Sequence, residues 1–260
     1  MLLLFLLPGA FLLPPGARGG GIVGGREAVP HSRPYMAFVT IKPWWAPAYH
    51  CGGFLVREDV VVTAAHCNVK GRVTVTLGAH NLRKREPSWQ RIRARRRVPH
   101  PQYDKRTTNN DIMLLQLRTR AALTAWVKPI RLPAPWPAVP VGARCWVAGW
   151  GRMRFHPPKS SAVLREVDLA VMANETCERS LTRPYYPASM LCAGDPRGKK
   201  ASLKGDSGGP LVCAGVPQGI VSWGPANGIS PEVYTRVSRF VPWIRRAMQR
   251  LAGLGTSPRA

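Results

Sequence analysis

The sequence of 260 residues is poor in acidic residues. It contains 13 Asp and Glu against 38 Lys and Arg, a formal net charge of +25 at pH 7. Leaving out residues 1–21 removes one charged residue, Arg18, so 37 basic and 13 acidic residues give the rest of the chain a charge of +24. A charge of this size predicts attraction to polyanions such as nucleic acid, sulfated glycans and acidic membrane surfaces.

Long apolar runs are absent beyond the N-terminus, where no stretch approaches the roughly 18–20 residues that a membrane helix needs. The opening stretch MLLLFLLPGAFLLPPGARGGG has an apolar core followed by small residues, a pattern typical of a secretory signal peptide. A membrane anchor is the alternative, and its prolines and short apolar core argue against it. We therefore assign residues 1–19 to a signal peptide and place the protein in the secretory pathway.

Metal-binding spacings are absent as well, since the sequence has no C-x-x-C and no H-E-x-x-H. Its six cysteines are Cys51, Cys67, Cys145, Cys177, Cys192 and Cys213. An even number in a secreted chain suggests three disulfides, and six cysteines allow 15 pairings. Zinc is the competing interpretation because a histidine precedes both Cys51 and Cys67, and we expect neither a metal nor a cofactor.

Short apolar runs separated by turn residues predict an all-β fold, either barrels or sandwiches. The runs are MAFVTI, GGFLV, VVVTAA, RVTVTLG, DIMLLQL, CWVAGWG, LREVDLAVM, GPLVC, QGIVSWG and EVYTRV. The proline-rich residues 128–142 suit neither a central strand nor a helix interior, so we interpret them as a connector between two halves. Apolar residues at helical spacing predict one helix at about 239–251.

Three separate motifs together provide the parts that nucleophilic catalysis by serine requires. Ser207 lies in the glycine-rich turn GDSGGP, His66 ends the apolar stretch VVVTAAHC, and Asp111 begins DIMLLQL. A serine nucleophile needs a base to take its proton, an acid to orient that base, and donors for the oxyanion. The N–H groups of Gly205 and Ser207 are candidates for those donors.

On these motifs the sequence resembles a chymotrypsin-fold (trypsin-like) serine protease over residues 22–251. IVGG, CGGFLV, TAAHC, DIMLLQL, CWVAGWG, KGDSGGPLVC, GIVSWG and VYTRVSRFVPWI occur in the family's order. The resemblance implies two six-stranded antiparallel β-barrels with a C-terminal α-helix. The N-terminal barrel would occupy about 22–130, the C-terminal barrel about 131–238 and the helix about 239–251, with residues 252–260 expected to be a disordered tail that can be trimmed.

The resemblance also implies roles for individual residues. His66 corresponds to the general base, Asp111 to its orienting partner, Ser207 to the nucleophile and Gly205 to the second oxyanion donor. Removal of residues 20–21 as an activation dipeptide would free the amine of Ile22 to pair with Asp206. The implied disulfides are Cys51–Cys67, Cys145–Cys213 and Cys177–Cys192.

The substrate pocket follows from the same comparison of motifs. Ala201 occupies the position of a trypsin-like pocket's aspartate, which disfavours strict Arg or Lys specificity. Glu232 falls at the rear wall, where it would accept a Lys ammonium between apolar walls that suit Phe, Tyr or Leu. Alternatively, Glu232 points away and balances nearby arginines. The other implied binding residues are Ser202, Ser222, Trp223 and Gly224.

The sequence lacks a further cysteine pair beside the pocket, and Leu203 stands at one of the positions that such a pair would occupy. This absence resembles the granzyme, chymase and cathepsin G group. GGREAVPHSRPYMAF and SPEVYTRVSRFVPWIR resemble the cathepsin G branch of that group. The resemblance implies protein and peptide substrates, serpin-type inhibitors, leukocyte granule storage with extracellular release, and a monomer. Asn174 in NET is an N-glycosylation sequon.

The basic runs RKR and RIRARRR suggest polyanion partners, and RIRARRR suits a strand with its arginines exposed. Sulfated proteoglycans or heparin, bacterial envelopes and other anionic surfaces all fit, with antimicrobial action as a consequence. Aromatic residues do not alternate with the basic runs, so specific nucleic-acid readout is not expected. The alternative function is a catalytically weak or inactive cationic binding protein resembling azurocidin, and the intact His66, Asp111, Ser207 and Gly205 favour the enzyme.

Overall fold

The computed structural model of the chain describes residues 24–136, 138–154, 159–181, 183–198, 200–202, 204–225 and 231–253. Its strands are β1 (Arg26–Glu27), β2 (Met36–Lys42), β3 (Tyr49–Arg57), β4 (Val60–Thr63), β5 (Arg72–Leu77), β6 (Gln90–Pro99), β7 (Met113–Leu117), β8 (Arg144–Gly149), β9 (Arg152–Arg154), β10 (Lys159–Ser160), β11 (Arg165–Val171), β12 (Met190–Gly194), β13 (Pro210–Cys213), β14 (Val216–Trp223) and β15 (Glu232–Arg236). Its helices are α1 (Asn174–Ser180) and α2 (Val237–Gly253), with a 3₁₀ turn at Ala65–Cys67. No helix within these ranges is long and apolar enough to cross a membrane.

The strands form two closed antiparallel barrels of six strands each, as expected from the sequence. The first barrel has the order β2-β3-β4-β7-β6-β5 and closes where β5 pairs with β2. The second has the order β11-β12-β15-β14-β13-β8 and closes where β11 pairs with β8, while β1 adds to the outside of β11. Closure pairs the edge strands, so neither barrel leaves a long unpaired edge.

Each barrel is filled by the apolar residues that alternate along its strands. Phe54, Leu55 and Leu114 are fully buried in the first barrel, and Val147, Leu211 and Tyr234 are buried in the second. On β6 the alternation runs the other way, because arginines are exposed at alternate positions and the residues between them are half-buried. The predicted surface strand with outward arginines is therefore confirmed.

The connector between the barrels has no regular structure in residues 118–136 and 138–143. It is tied to α2, since the Trp136 N–H donates to the Ser238 carbonyl at 3.3 Å. Pro242 has no N–H and cannot donate to that carbonyl within the helix, so the connector supplies the missing donor. The helix packs Phe240 and Ile244 against the first barrel's core and extends two residues beyond the predicted 239–251 at each end.

Candidate active site

His66 and Asp111 are joined at the junction of the two barrels. The Asp111 carboxylate accepts the His66 backbone N–H at 2.8 Å and lies 2.7 Å from the ring Nδ1. Asp111 is fully buried and His66 is partly open to solvent. Burial lowers the pKa of His66, but the charge of Asp111 and the hydrogen bond to it raise the pKa, and the net direction is upward. This pairing fixes the ring and directs Nε2 away from the carboxylate.

Residues of the second barrel also hold Asp111. The Ser222 hydroxyl on β14 donates to Oδ2 of Asp111 at 2.5 Å, and the Thr235 hydroxyl on β15 donates to its backbone carbonyl at 2.8 Å. Asp111 itself comes just before β7 of the first barrel. The carboxylate is therefore positioned by both barrels, and its orientation depends on how they dock.

The turn that carries Ser207 is bonded to both barrels. Its carbonyl accepts the Gly52 N–H of β3 at 2.7 Å, while the Gly208 N–H donates to Val221 of β14 at 2.8 Å. The approach is so close that a Cβ at Gly208, where φ is +83°, would overlap the Thr63 hydroxyl and the Gly52 carbonyl. Only glycine satisfies both the conformation and the space at this position.

Ser207 itself lies next to the His66 segment, since the sulfur of Cys67 is 3.9 Å from the Ser207 carbonyl oxygen. Among the described residues its hydroxyl makes no hydrogen bond to His66. Gly205, two residues earlier, has a φ of +104°, a conformation that favours glycine.

Asp206 is fully buried beside Ser207. Its carboxylate accepts the Gly151 N–H at 2.8 Å, and a Cβ on either Gly149 or Gly151 would overlap it. These two glycines therefore form the close-fitting wall around the carboxylate. Ile22, the expected partner of Asp206 after activation, lies outside the described residues.

A cleft of about 770 Å³ opens beside His66. Its lining includes Tyr103 and Thr108 from the first barrel together with Ser222 and Trp223 from the second. The guanidinium of Arg183 lies over the Trp223 ring, 5.8 Å from its centroid. The cleft therefore adjoins the histidine and is lined by residues of both barrels.

Glu232, the residue expected at the rear wall of the substrate pocket, is only 7% exposed. Its carboxylate accepts three hydrogen bonds of 2.9 Å, from the Ser202 N–H, the Ser202 hydroxyl and the Tyr234 hydroxyl. A Cβ on Gly224 would touch its side chain at 3.3 Å. Burial raises the pKa of Glu232 to about 7, and the three hydrogen bonds oppose that rise.

The surroundings of Glu232 contradict the alternative in which it balances arginines. It forms no ion pair with any residue in the described part of the chain. Ala201, which directly precedes Ser202, is also buried. Leu203 lies outside the described residues. Among the described residues, Glu232 is therefore a buried acid without an ion-pair partner.

The structure pairs Cys51–Cys67, Cys145–Cys213 and Cys177–Cys192. Ligand atoms of Cys51, His66 and Cys67 lie within 4.8 Å of one another, the arrangement that the zinc interpretation required. The two sulfurs are bonded to each other and offer no thiolate, so this cluster is not a metal site.

Comparison with known proteins identifies the family. The trypsin family model matches residues 22–244. The chain is 52% identical over 249 residues to cathepsin G of Homo sapiens, covering 95% of this chain and 94% of that protein. It is 50% identical over 256 residues to duodenase-1 of Bos taurus, with coverage of 98% and 100%. A solved structure described as "Structure of GrC" matches with a TM-score of 0.84 and 44% identity, covering 88% of this chain and 100% of that one. The chain belongs to the trypsin family of serine proteases.

Membership of this family confirms the expected fold and the expected class of enzyme, a hydrolase of peptide bonds. The structure adds contacts that the motifs did not reveal, above all the hydrogen bond from Ser222 to Asp111 and the bond from Tyr234 to Glu232. Ser222 is more than a hundred positions from Asp111, so no local pattern indicates the first bond, whereas Tyr234 lies two residues from Glu232 on the same strand. Asn174 is the first residue of α1, and its side-chain oxygen accepts the Tyr185 hydroxyl at 2.8 Å. Its glycosylation stays a prediction.

Proposed function

We propose that the protein is a serine endopeptidase in which Ser207 attacks the peptide carbonyl. His66 takes the proton of the Ser207 hydroxyl and later gives it to the leaving amine, while Asp111 holds the imidazole ring and stabilises its charged form. The N–H groups of Gly205 and Ser207 stabilise the oxyanion. The observation that carries this proposal is the buried Asp111 carboxylate bonded to both the ring and the backbone of His66.

We propose that cleavage after Gly21 activates the enzyme. The released Ile22 amine would pair with the buried carboxylate of Asp206, next to Ser207, and this pairing would order the oxyanion turn. Burial of Asp206 supports the proposal, because an ammonium that reaches a buried carboxylate can form a strong, geometrically defined pair. A form that retains Gly20 and Gly21 has no free amine at Ile22 and is the natural unactivated control.

For specificity, we propose chymotrypsin-like cleavage with additional acceptance of Lys and Arg. Ala201 leaves the pocket without a trypsin-like aspartate, and Trp223 at the end of β14 and Gly224 just after it would provide walls for an aromatic side chain. The buried Glu232, which has no ion-pair partner among the described residues, can receive the head group of a lysine. The pocket therefore suits Phe, Tyr or Leu and also a basic side chain.

The charge of the chain supports a second property, retention on polyanions. We propose storage in leukocyte granules on sulfated proteoglycan, extracellular release, and antimicrobial binding to the anionic envelopes of bacteria. Outward arginines of β6 provide a cationic surface distinct from the cleft. Serpin-type inhibitors are proposed as partners because they act on proteases of this fold.

The variant Ser207→Ala tests the protease proposal against the alternative of an inactive cationic binding protein. With the activated protein we expect kcat for a Phe peptide to fall by about a millionfold, because the nucleophile is lost. Retention on heparin should be unchanged, since Ser207 carries no charge. Equal hydrolysis by both forms, or no hydrolysis by the activated wild-type protein, would contradict the proposal and favour the binding protein.

A further inference from the structure

Two adjacent tryptophans are exposed at the tip of the hairpin between β2 and β3. Trp44 is 76% exposed and Trp45 is 67% exposed, while the neighbouring Pro43 is buried. Tyr49, where the chain enters β3, is 51% exposed. Adjacent exposed aromatic side chains form an apolar patch, which is more typical of a binding surface than a single exposed ring is, and Pro43 and Pro47 restrict the backbone on either side of the pair.

Cationic side chains surround this hairpin, as strand register shows. Lys42 pairs with Arg72 across β2 and β5, and both side chains are exposed. The Arg72 guanidinium lies 5.9 Å from the centre of the Trp44 ring. Thr74, two residues along β5 on the same face, pairs with Arg93 of β6.

The arginines of β6 extend the same outer face of the barrel. Arg91, Arg93 and Arg95 are exposed at alternate positions, so their side chains point the same way. Adjacent strands are about 4.8 Å apart and two residues along a strand span about 6.7 Å, so Arg93, opposite Thr74, lies close to Arg72, with Arg91 and Arg95 on either side of it along β6. We define the tryptophan–arginine face as Lys42, Trp44, Trp45, Arg72, Arg91, Arg93 and Arg95.

No carboxylate interrupts this surface from within the barrel. All six strands of the first barrel, β2 to β7, lack Asp and Glu entirely. The acids nearest in sequence to these strands are engaged with other residues: Asp59 bonds Arg57, Glu58 pairs with Arg120, Glu86 bonds Trp89, and Asp111 bonds His66. The face therefore combines uncompensated positive charge with exposed indoles.

We propose that the tryptophan–arginine face binds the surface of an anionic lipid bilayer, with Trp44 and Trp45 inserted at the headgroup level. Tryptophan favours the membrane–water interface because its ring is apolar and its N–H is polar, and nearby Lys and Arg are attracted to anionic headgroups. This inference rests on the proposed affinity for anionic surfaces and assigns it to a specific part of the fold.

A bilayer fits this surface better than a sulfated glycan chain does. Arginines alone would hold sulfate groups, and the outer face of β6 supplies three of them without the hairpin. The two neighbouring indoles at a hairpin tip add an apolar element that a polyanion in water does not require. Insertion of these rings would add hydrophobic binding to the electrostatic attraction.

Bilayer binding would place the catalytic cleft beside the membrane. From the hairpin, β3 leads through Cys51 to Gly52, whose N–H contacts the Ser207 carbonyl. The inserted tip is therefore only a few residues from the catalytic turn. Peptide segments close to the lipid surface would be presented to the cleft at a raised local concentration.

Vesicle sedimentation tests this surface with the purified protein and its variants. The probe is vesicles of phosphatidylcholine containing about 30% phosphatidylglycerol, compared with phosphatidylcholine alone. For the double variant Trp44→Ala and Trp45→Ala we expect the dissociation constant to rise roughly tenfold or more, because two inserted rings are removed. For the triple variant Arg91→Gln, Arg93→Gln and Arg95→Gln we expect a rise of roughly a hundredfold, about fivefold per cation.

Matched variants elsewhere on the molecule control for composition and net charge. Trp126→Ala with Trp136→Ala removes two exposed tryptophans, and Arg245→Gln, Arg246→Gln and Arg250→Gln removes three exposed arginines from α2. Both controls should bind the anionic vesicles like the wild-type protein. Thermal unfolding midpoints of all four variants establish that they fold, and if the arginine variant does not fold, the tryptophan variant decides.

Three results would overturn the inference. Unchanged vesicle binding by the tryptophan variant would remove the indoles from the mechanism, and equal losses in the α2 control would mean that only net charge matters. Retention on heparin without binding to the vesicles would identify the face as a glycan site. Peptide hydrolysis by the wild-type protein is measured separately, so failure of the protease proposal and failure of this inference are distinguishable.

Discussion

Glu232 provides a sharp quantitative test of the pocket, because its charge should change the substrate preference within the physiological pH range. The pKa of this carboxyl is raised to about 7 by burial. Below that pH the group is mainly protonated and neutral, and above it the group carries the negative charge that a lysine ammonium requires. We therefore expect the ratio of kcat/KM for a Lys peptide to that for a Phe peptide to rise as the pH increases through about 7.

The size of this change follows from the contact that the charge makes possible. A hydrogen bond to a charged group contributes about 1.5–3 kcal/mol, which corresponds to roughly a 10- to 150-fold change in kcat/KM. Glu232→Gln should lower cleavage of the Lys peptide by this factor above pH 7 and leave the Phe peptide much less affected. The ratio cancels the titration of His66, because both substrates use the same base.

Tyr234→Phe is a companion variant that keeps the carboxyl and removes one of its hydrogen-bond donors. The donor favours the charged form, so its loss should move the midpoint of the ratio to higher pH. Peptide kinetics at a series of pH values measure both effects. A ratio that does not depend on pH in the wild-type protein, or that survives Glu232→Gln, would refute the assignment of Glu232 to the pocket.

The buried carboxyl of Glu232 also leads to an independent prediction for the free energy of unfolding. A pKa raised from 4.5 to about 7 means that the buried carboxyl destabilises the fold by about 3 kcal/mol once the pH exceeds 7. The destabilisation is absent below the unfolded-state pKa and grows as the pH rises to the folded-state value. The free energy of unfolding of Glu232→Gln, relative to that of the wild-type protein, should therefore be higher at pH 8 than at pH 4. Chemical denaturation of both proteins at the two pH values measures this difference.

Two further predictions concern the catalytic residues. The pKa of His66 is raised above the ordinary 6.5. We therefore expect kcat/KM for the Phe peptide to fall on acidification with a midpoint above 6.5. A midpoint at or below that value would contradict the coupling of His66 to Asp111. Gly208→Ala should lower the free energy of unfolding by about 3 kcal/mol through overlap and backbone strain. Its control is Gly215→Ala, which has a similar φ of +77° but open space, and should cost about 1 kcal/mol. Equal losses at the two positions would show that close packing of the serine turn is not the cause.

Much of the fold was predictable from sequence because its strands alternate or are continuously apolar. The apolar runs overlap β2, β3, β4, β5, β7, β8, β11, β13, β14 and β15, and the arginine alternation of RIRARRR indicated β6. β12 was missed because two of its five residues, Ala193 and Gly194, belong to types that are depleted in strands, which leaves only a short apolar run. The short β1, β9 and β10 depend on pairing partners and have no distinct pattern of their own.

The candidate catalytic residues could be named from motifs, but their arrangement could not. Residues such as His66 and Asp111 can be recognised because they and the residues that flank them form motifs typical of the serine protease family. The clamp on Asp111 by Ser222 and Thr235 comes from strands of the other barrel, more than a hundred positions away. Such contacts are set by the docking of two barrels, and no local pattern records that docking.

The excess of positive charge, the family, the candidate catalytic residues and the alternation of β6 are properties of residue type and local order, so they can be established without a structure. Folding establishes that Glu232 is buried without a cation among the described residues and that its pKa therefore rises. It also places the exposed Trp44 beside Arg72. Burial and the meeting of distant strands change the energy of a charge or a ring, and those changes arise only when the chain is folded.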